Sequence, residues 1–479
     1  MTVRRIGGVD SGGNPPARSA VRNAKLAALP IAFAGRRAAG LGKRAFGQPA
    51  DVVNMEIQRR TAQHFFEVLG ELKGFAAKLG QLLALYELGL SPELAEPYRI
   101  ALSRLQDATP PMLPRTVHTV LAESFGPDWR AEFQSFDDRR AASATIGQVH
   151  RAVWHDGRAV AVKVMYPGAR QAIHSDLEQV RRMSGLASVF VPNADIRALT
   201  DQLSECVIAE LDFAAEAEQQ RVFAAAFAND PDFRVPGVLA QRGDVIVSEW
   251  LDGIPLTRLI AGGAQPERDR VGMLALRFVL SAPERSGLLY CDPHPGNFRV
   301  LPDGRLGVVD FGACVPWPPP EFPLLVHDVA DALFNGTPAD LDAAMRRHGF
   351  ADFETPFDVR ALTEQLLPYT DLLRHDTFRA DSAWLRDRVR SGMSPQLSNV
   401  NRQLTMPAFY TPFARSILTL LGLICQLGTT GPLRAEMLRW SPELAEVVQR
   451  HRAHTGGPVD LTAARTRRAA TAKRDAAAG

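Results

Sequence analysis

The chain has 479 residues, 46% hydrophobic and 23% charged, with a net charge of only +2. The length exceeds one ordinary domain, and the composition is that of a soluble globular protein with a large core, in two lobes plus tails. The near-neutral balance supplies no basic footprint for nucleic acid, and the four cysteines (Cys206, Cys291, Cys314 and Cys425) form no CxxC or other zinc-like spacing.

Charge placement says more than net charge. Residues 1–50 carry nine Lys or Arg and a single acid, Asp10. They read as a basic, partly disordered tail, and the segment 456–479, with Arg465, Arg467, Arg468, Lys473 and Arg474, reads as a second. Docking of such a tail on an anionic lipid surface is the sharper alternative to a merely solvated one. The apolar run Leu26–Gly35 holds Pro30 and is followed by Arg36-Arg37, which is not a signal-peptide pattern. The expectation is a cytoplasmic protein, peripheral at most on a membrane. The most apolar late stretch, Ile417–Leu427, is about half the roughly 20 residues that a spanning helix needs, so a buried helix is expected there.

From Val52 to Leu90, Phe65, Val68, Leu72, Phe75, Leu79, Leu82, Leu83 and Tyr86 recur every three or four residues, the period of an amphipathic helix. Prolines 110, 111 and 114 precede a further helix over 115–124. Strand texture starts near Thr145: two runs of alternating Val and Ala flank Asp156-Gly157, which predicts a hairpin ended by Pro167-Gly168. Residues 171–228 return to helix, broken near Val191-Pro192. Strands are expected at Val235–Val238 and Val245–Trp250, then a lobe boundary at Leu251–Pro255. A mostly helical part follows, with short strands at Phe298–Val300 and Leu306–Val309 turned at Asp303-Gly304.

Chemistry converges on one stretch of this second part. Asp292 is followed by Asn297 on a loop stiffened by Pro293, Pro295 and Gly296, and thirteen residues later by Asp310, in Asp-Phe-Gly. Either motif alone is weak; together, around a hairpin, they have the layout of a phosphoryl-transfer site. Phosphoryl transfer needs the charge of the β- and γ-phosphates neutralised, usually by Mg²⁺, and Mg²⁺ takes hard oxygen ligands such as the Asp310 carboxylate and the Asn297 amide oxygen. Asp292 would orient the acceptor or take its proton. Lys163, in Val-Ala-Val-Lys-Val, is costly on a half-buried strand unless paired, which suits a lysine that holds phosphates and leans on a carboxylate. Glu210, Asp212, Glu216 and Glu218 are the candidate partners, on a helical stretch about fifty residues further on.

With these residues in place the sequence resembles the UbiB/AarF-type atypical kinase family, also called ADCK, over about residues 55–315. Lys78-Leu79-Gly80-Gln81 matches the family's KxGQ motif, Ala142-Ser143-Ala144-Thr145 with Gly147 its Ala-rich loop, Lys163 its strand lysine and Glu210-Leu211-Asp212 its ExD motif. Glu216 matches the lysine's helical partner, Ser248-Glu249-Trp250-Leu251-Asp252-Gly253 the linker between lobes, and Asp292, Asn297 and Asp310 the catalytic and metal positions. Ser143 interrupts the usual run of alanines, and Thr145 stands where serine is common.

The resemblance implies an α+β, bilobal protein-kinase-like fold with a helical N-terminal extension (51–130) over the active site, a lobe over 131–252 with a helical insertion, and a mostly helical lobe over 253–455. It implies ATP and Mg²⁺ as ligands: Asp292, Lys163 and Glu216 in catalysis; Ala142, Ser143, Ala144, Thr145, Gly147, Lys163, Glu249 and Leu251 around the nucleotide; Asn297 and Asp310 at the metal. Lys78, Gln81, Glu210 and Asp212 would gate the site. It further implies an ATPase or phosphotransferase working beside isoprenoid-quinone or lipid metabolism, with proteins or lipid intermediates of that pathway as partners. The alternatives are a small-molecule phosphotransferase of the aminoglycoside- or choline-kinase type and a nucleotide-binding scaffold without turnover.

Overall fold

The computed structural model describes residues 111–144, 146–174, 177–178, 208, 210–352, 354, 356–392, 400 and 403–455, with the isolated positions 35 and 39. The helical stretch expected over 52–90, most of the basic segment 1–50 and the tail 456–479 lie outside the described residues. The architecture is mixed α+β.

Helix α1 (Pro114–Phe125) starts on a proline at its first turn, where a missing N–H costs nothing, and ends on Gly126 at φ +95°. Val117, Val120 and Leu121 recur every three or four residues and are buried. They pack on one face of a five-stranded sheet of order β1-β2-β3-β6-β5, built from β1 (Phe133–Ala144), β2 (Gly147–Trp154), β3 (Ala159–Met165), β5 (Val238–Arg242) and β6 (Val245–Glu249). The core between them takes Val160, Val162 and Val164 from β3 and Val245 and Val247 from β6. Trp129, Phe133, Phe136 and Trp154 close one end, with ring centroids 5.0–6.1 Å apart in edge-to-face pairs. Helix α1 therefore belongs to the core of this sheet, although the reading above assigned its residues to the extension over 51–130.

The period of two along β3 decides the site. Because the even-numbered valines fill the core, Ala161 and Lys163 must face the other way. The register pairs Lys163 with Val149 on one side and Ile246 on the other, so all three share that opposite face.

Two expectations about this sheet need correction. Ala142, Ser143 and Ala144 do not form a loop; they are the end of β1, paired with Val149, Gln148 and Gly147 of β2. The strand expected at Val235–Val238 instead begins at Val238, while β4 (Phe233–Arg234) ends before it. Pro236 has no N–H to give a ladder, so the chain changes sheets there.

The chain leaves β6 at Glu249 and enters β7 (Ile254–Pro255), which belongs to a four-stranded sheet of order β4-β10-β9-β7 with β9 (Phe298–Val300) and β10 (Leu306–Val308). Gly304, at φ +85°, turns the β9–β10 hairpin as expected. β8 (Leu288–Tyr290) pairs with β11 (Cys314–Pro316) and so sets the Asp292 loop beside the segment that follows Asp310. Around them stand α2 (Phe213–Ala226), α3 (Leu256–Gly262), α4 (Gln265–Ser286), α5 (Phe322–Phe334) and α6 (Thr411–Leu427), with further helices over 338–392 and 433–455. Their core is aromatic: Phe223 and Phe227 of α2, Phe233, Phe278 of α4, Tyr290, Phe298 and Phe311 are all buried in one cluster.

Helix α6 also corrects a length. Read with the turn before it, Ala408–Leu427 is a 20-residue helical segment, long and apolar enough by length and composition to cross a membrane. Arg415 had cut the apolar run short in the sequence. Ser416, Leu420, Leu423, Ile424 and Leu427 are buried, which is the pattern of a helix with one face in a core.

Gly147 is the tightest point of the sheet. A Cβ there would lie 2.3 Å from the carbonyl oxygen of Val164. Gly147→Ala is therefore expected to cost about 1–3 kcal/mol, the scale of overpacking, and to lower the melting temperature. An unchanged melting temperature would mean that β2 and β3 can part to admit a methyl group.

Candidate active site

Between the two sheets lies a cavity of about 290 Å³, at the small end of the usual range for ligand sites. Val149, Ala161, Ile246, Leu251 and Val309 make part of its wall apolar; Lys163, Glu216, Asn297 and Asp310 make another part charged or polar. Ala142, Ser143, Ala144 and Glu249 also line it. Gly147 and Asp292 are not among the lining residues.

Lys163 is the centre of the charged part. Its Nζ donates to Glu216 Oε1 at 2.5 Å and to Asp310 Oδ2 at 3.3 Å, and lies 5.2 Å from the centroid of the Phe213 ring. Burial works against its charge, but the Asp310 and Glu216 carboxylates outweigh it and hold the ammonium above the ordinary lysine value. Burial pushes Glu216 up to about 7, while Lys163 pulls it back. Glu216 is 3% exposed and Asp310 36%, so one carboxylate is a buried support and the other faces the cavity.

Glu216 owes its place to the start of α2. The side chain of Asp212 accepts from Ala214 N at 3.0 Å and Ala215 N at 2.9 Å, an N-cap that satisfies two of the helix's orphan donors. Glu216 then follows one turn later. Of the four carboxylates left open by sequence, Glu216 is thus the lysine's partner and Asp212 the cap; Glu210 is buried nearby, and Glu218 pairs with Arg221 at 3.1 Å.

The Asp292 loop is tied at several points. Cys291 N donates to Ala313 O at 2.9 Å, and His294 N to Asp292 O at 2.7 Å. Asn297 Nδ2 donates to Asp292 O at 3.1 Å, and Val309 N to Asn297 O at 3.0 Å. The last bond puts Asn297 one residue away from Asp310. With its amide nitrogen engaged, Asn297 keeps its oxygen for another partner. Gly312 N donates to Asp310 Oδ1 at 3.1 Å, and a Cβ on Gly312 would lie 3.4 Å from Glu216 Oε2, so the Asp-Phe-Gly turn packs directly on the lysine's partner. Phe311 points down into the aromatic core, 5.0 Å from Phe223 and 5.7 Å from Tyr290.

Glu249 spends its carboxylate on the protein, accepting from Arg234 at 2.7 Å and from Gly237 N at 3.0 Å. Lys78, Gln81 and Thr145 lie outside the described residues. Sequence reasoning missed Arg299, His294 and Gln220, which line the cavity, and Arg415, whose Nη2 is 3.9 Å from Asp292 Oδ1. His294 stood in plain view inside the proline-rich loop, and Arg299 two residues beyond Asn297. Only a folded chain brings Gln220 and Arg415 to the site.

A largely buried lysine–glutamate pair thus stands beside a cavity-facing aspartate, with an asparagine fixed next to it. A family model described as the ABC1 atypical kinase-like domain matches residues 104–329. The uncharacterized protein slr0889 of Synechocystis sp. is 33% identical over 275 residues, covering 54% of this chain and 66% of its own. The mitochondrial atypical kinase COQ8 of Saccharomyces cerevisiae is 30% identical over 257 residues, covering 52% of this chain and 49% of its own. The aligned region spans between about a third and two thirds of the length of the curated relatives it matches, from 37% to 66%. A solved complex of Rv3197 with erythromycin, from Mycobacterium tuberculosis, is 38% identical, with a TM-score of 0.60 over 83% of this chain and all of that one. The chain belongs to the ABC1/UbiB atypical kinase-like family.

The electrostatics give a pH test. Glu216's folded value lies above its ordinary 4.5, so the folded state holds a proton that the unfolded state has released, and this group's contribution to stability falls as pH rises between about 4.5 and 7. Lys163→Met removes the ammonium that pulls Glu216 down, which extends that loss to higher pH. The variant should lose about 3–5 kcal/mol, the cost of breaking a buried pair. Its deficit in melting temperature relative to the parent should be wider at about pH 8 than at about pH 6. An equal deficit at both would mean that burial places no strain on Glu216.

Proposed function

We propose that the chain binds a nucleoside triphosphate, ATP by family resemblance, in this cavity and transfers or hydrolyses its terminal phosphoryl group. The observation that carries the reading is the contact of Lys163 with both Glu216 and Asp310, since it gathers residues 147 positions apart into one charged cluster. In this reading the fold is bilobal and protein-kinase-like, and an N-terminal helical extension with Lys78 and Gln81 covers the site. Lys163, steadied by Glu216, holds the phosphates, and the apolar wall of Val149, Ala161 and Leu251 takes the base. Asp292 orients the acceptor or accepts its proton.

The donor set suits Mg²⁺. Asp310 offers a carboxylate to the cavity and Asn297 an amide oxygen, both hard ligands, and a metal that keeps several waters needs few protein groups. When bound there it would supply charge neutralisation at the phosphates. Asp310→Asn keeps the shape and loses the charge, so the Mg-dependent rise in melting temperature with ATP should vanish and phosphate release should fall at least about 100-fold. A variant that keeps both would end the assignment of Asp310. A parent chain that is stabilised by ATP but releases no phosphate would make this a nucleotide-binding scaffold.

Relatives named as COQ8 atypical kinases support a role beside isoprenoid-quinone or lipid metabolism, with proteins or lipid intermediates of that pathway as partners. An aminoglycoside- or choline-kinase-like enzyme would use the same residues on a small alcohol acceptor. Metabolite profiling of a deletion strain separates these, since the quinone reading requires lost or altered quinones. We further propose a cytoplasmic protein that docks on anionic membranes through residues 1–50, at about 1 kcal/mol for each basic residue engaged. Flotation should then recover more protein with anionic than with neutral liposomes, and removal of residues 1–50 should abolish the difference; equal recovery would reject docking.

A further inference from the structure

Arg415 lies on α6, 86 positions beyond the end of the matched family span at residue 329. Its side chain is only 10% exposed, that of Asp292 only 16%, and Nη2 stands 3.9 Å from Oδ1. That is too long for a hydrogen bond and close enough for a strong charge contact where water is scarce. The approach is fixed from the next residue along. Ser416 is fully buried, and its Oγ donates to the carbonyl of Tyr290 at 2.7 Å. One helix turn is thereby pinned to the strand that ends two residues before Asp292, and the guanidinium is delivered to the carboxylate.

The bonds from Asn297 Nδ2 and His294 N fall on the backbone carbonyl of Asp292, not on its carboxylate. They set where the residue stands, and the Arg415 guanidinium approaches the carboxylate itself. Arg415 is not among the residues that line the cavity, so it reaches the reaction through Asp292.

We propose that Arg415 is a positioning residue, which holds the Asp292 carboxylate in the orientation that phosphoryl transfer or hydrolysis requires. The inference rests on the reading of the cavity as a nucleotide site with turnover. It makes the C-terminal helical part a contributor to catalysis: a helix outside the matched domain aims the aspartate inside it. Loss of the guanidinium leaves Lys163, Asp310 and Asn297 in place, so nucleotide affinity is kept while the catalysed step suffers.

The test is steady-state phosphate release from Mg-ATP by the full chain, with nucleotide affinity measured in parallel. Arg415→Gln should lower kcat by about 10- to 100-fold, as a side chain displaced by an ångström does, with KM and Kd for ATP within about twofold of the parent. Arg415→Lys, which returns the charge, should recover part of the loss. In an Asp292→Asn background Arg415→Gln should have no further effect, because the arginine acts through that carboxylate. Where Arg415→Gln fails to fold, Arg415→Met keeps the packed stem and is read by the same criteria. Unchanged kcat, a rise in KM with kcat kept, or additive losses in the double variant would each overturn the proposal. A parent chain with no turnover would instead remove the nucleotide reading, and the inference with it.

Discussion

A single ammonium group organises this molecule. Lys163 sits on the central strand of the five-stranded sheet, on the face opposite the valines that fill the core. Buried charge of that kind is tolerated only with partners in close contact. The partners come from two distant places: Glu216 from α2, and Asp310 from the end of the β9–β10 hairpin. Satisfying the lysine therefore fixes the sheet against both elements at once. The aromatic cluster beneath makes the arrangement rigid, since Phe223 lies two turns along α2 from Glu216 and packs on Phe311, the neighbour of Asp310. The charge cluster and the hydrophobic core use the same two segments, one face each.

What the sequence revealed was chemistry with a local signature. Gly157 and Gly304, both at positive φ, mark two hairpins, and the spacing from Asp292 through Asn297 to Asp310 is written along the chain. The features that escaped are those whose cause is tertiary. β1, from Phe133 to Ala144, is mostly polar and exposed, because it is an edge strand with several register shifts against β2; it has no hydrophobic alternation to read. The same edge position hid the fact that the alanines at its end are paired. The strand placed at 235–238 was displaced because Val235 and Val238 look alike in a propensity argument, while Pro236 between them decides the pairing. Arg415 and Gln220 reach the site through helix packing, which no pattern of types or spacings encodes.

Among the acidic residues of 210–218 the choice of partner has a physical order. A carboxylate just before a helix is drawn to the unpaired N–H groups of its first turn, and Asp212 is taken by them. The carboxylate one turn further in cannot reach those donors and is left to project from the helix side, where it meets β3. Asp212 is thus indirectly a determinant of the lysine's environment: it fixes where α2 starts, and so where Glu216 points. Glu249 follows the same order of contacts: its bonds to Arg234 and Gly237 N brace the crossing between the sheets, and both it and Leu251 line the cavity.

The cover of the cavity obeys a different constraint from a glycine-rich phosphate loop. Such a loop relies on glycine to bring backbone N–H groups up to the ligand. Here the glycine, Gly147, is spent on the sheet, where it lets β2 approach the carbonyl of Val164. The residues that line the cavity at this point, Ala142, Ser143 and Ala144, are paired with β2 as far as Ala144 and Gly147. Their backbone groups are committed in part to the ladder, so this wall has fewer free N–H groups than a glycine-rich loop. The charged groups of the cavity stand elsewhere in its wall, at Lys163, Glu216 and Asp310, with the Asn297 amide beside them. The contacts of Lys163 with Glu216 and Asp310 are made between the protein's own side chains, so the charged cluster is placed by the fold itself.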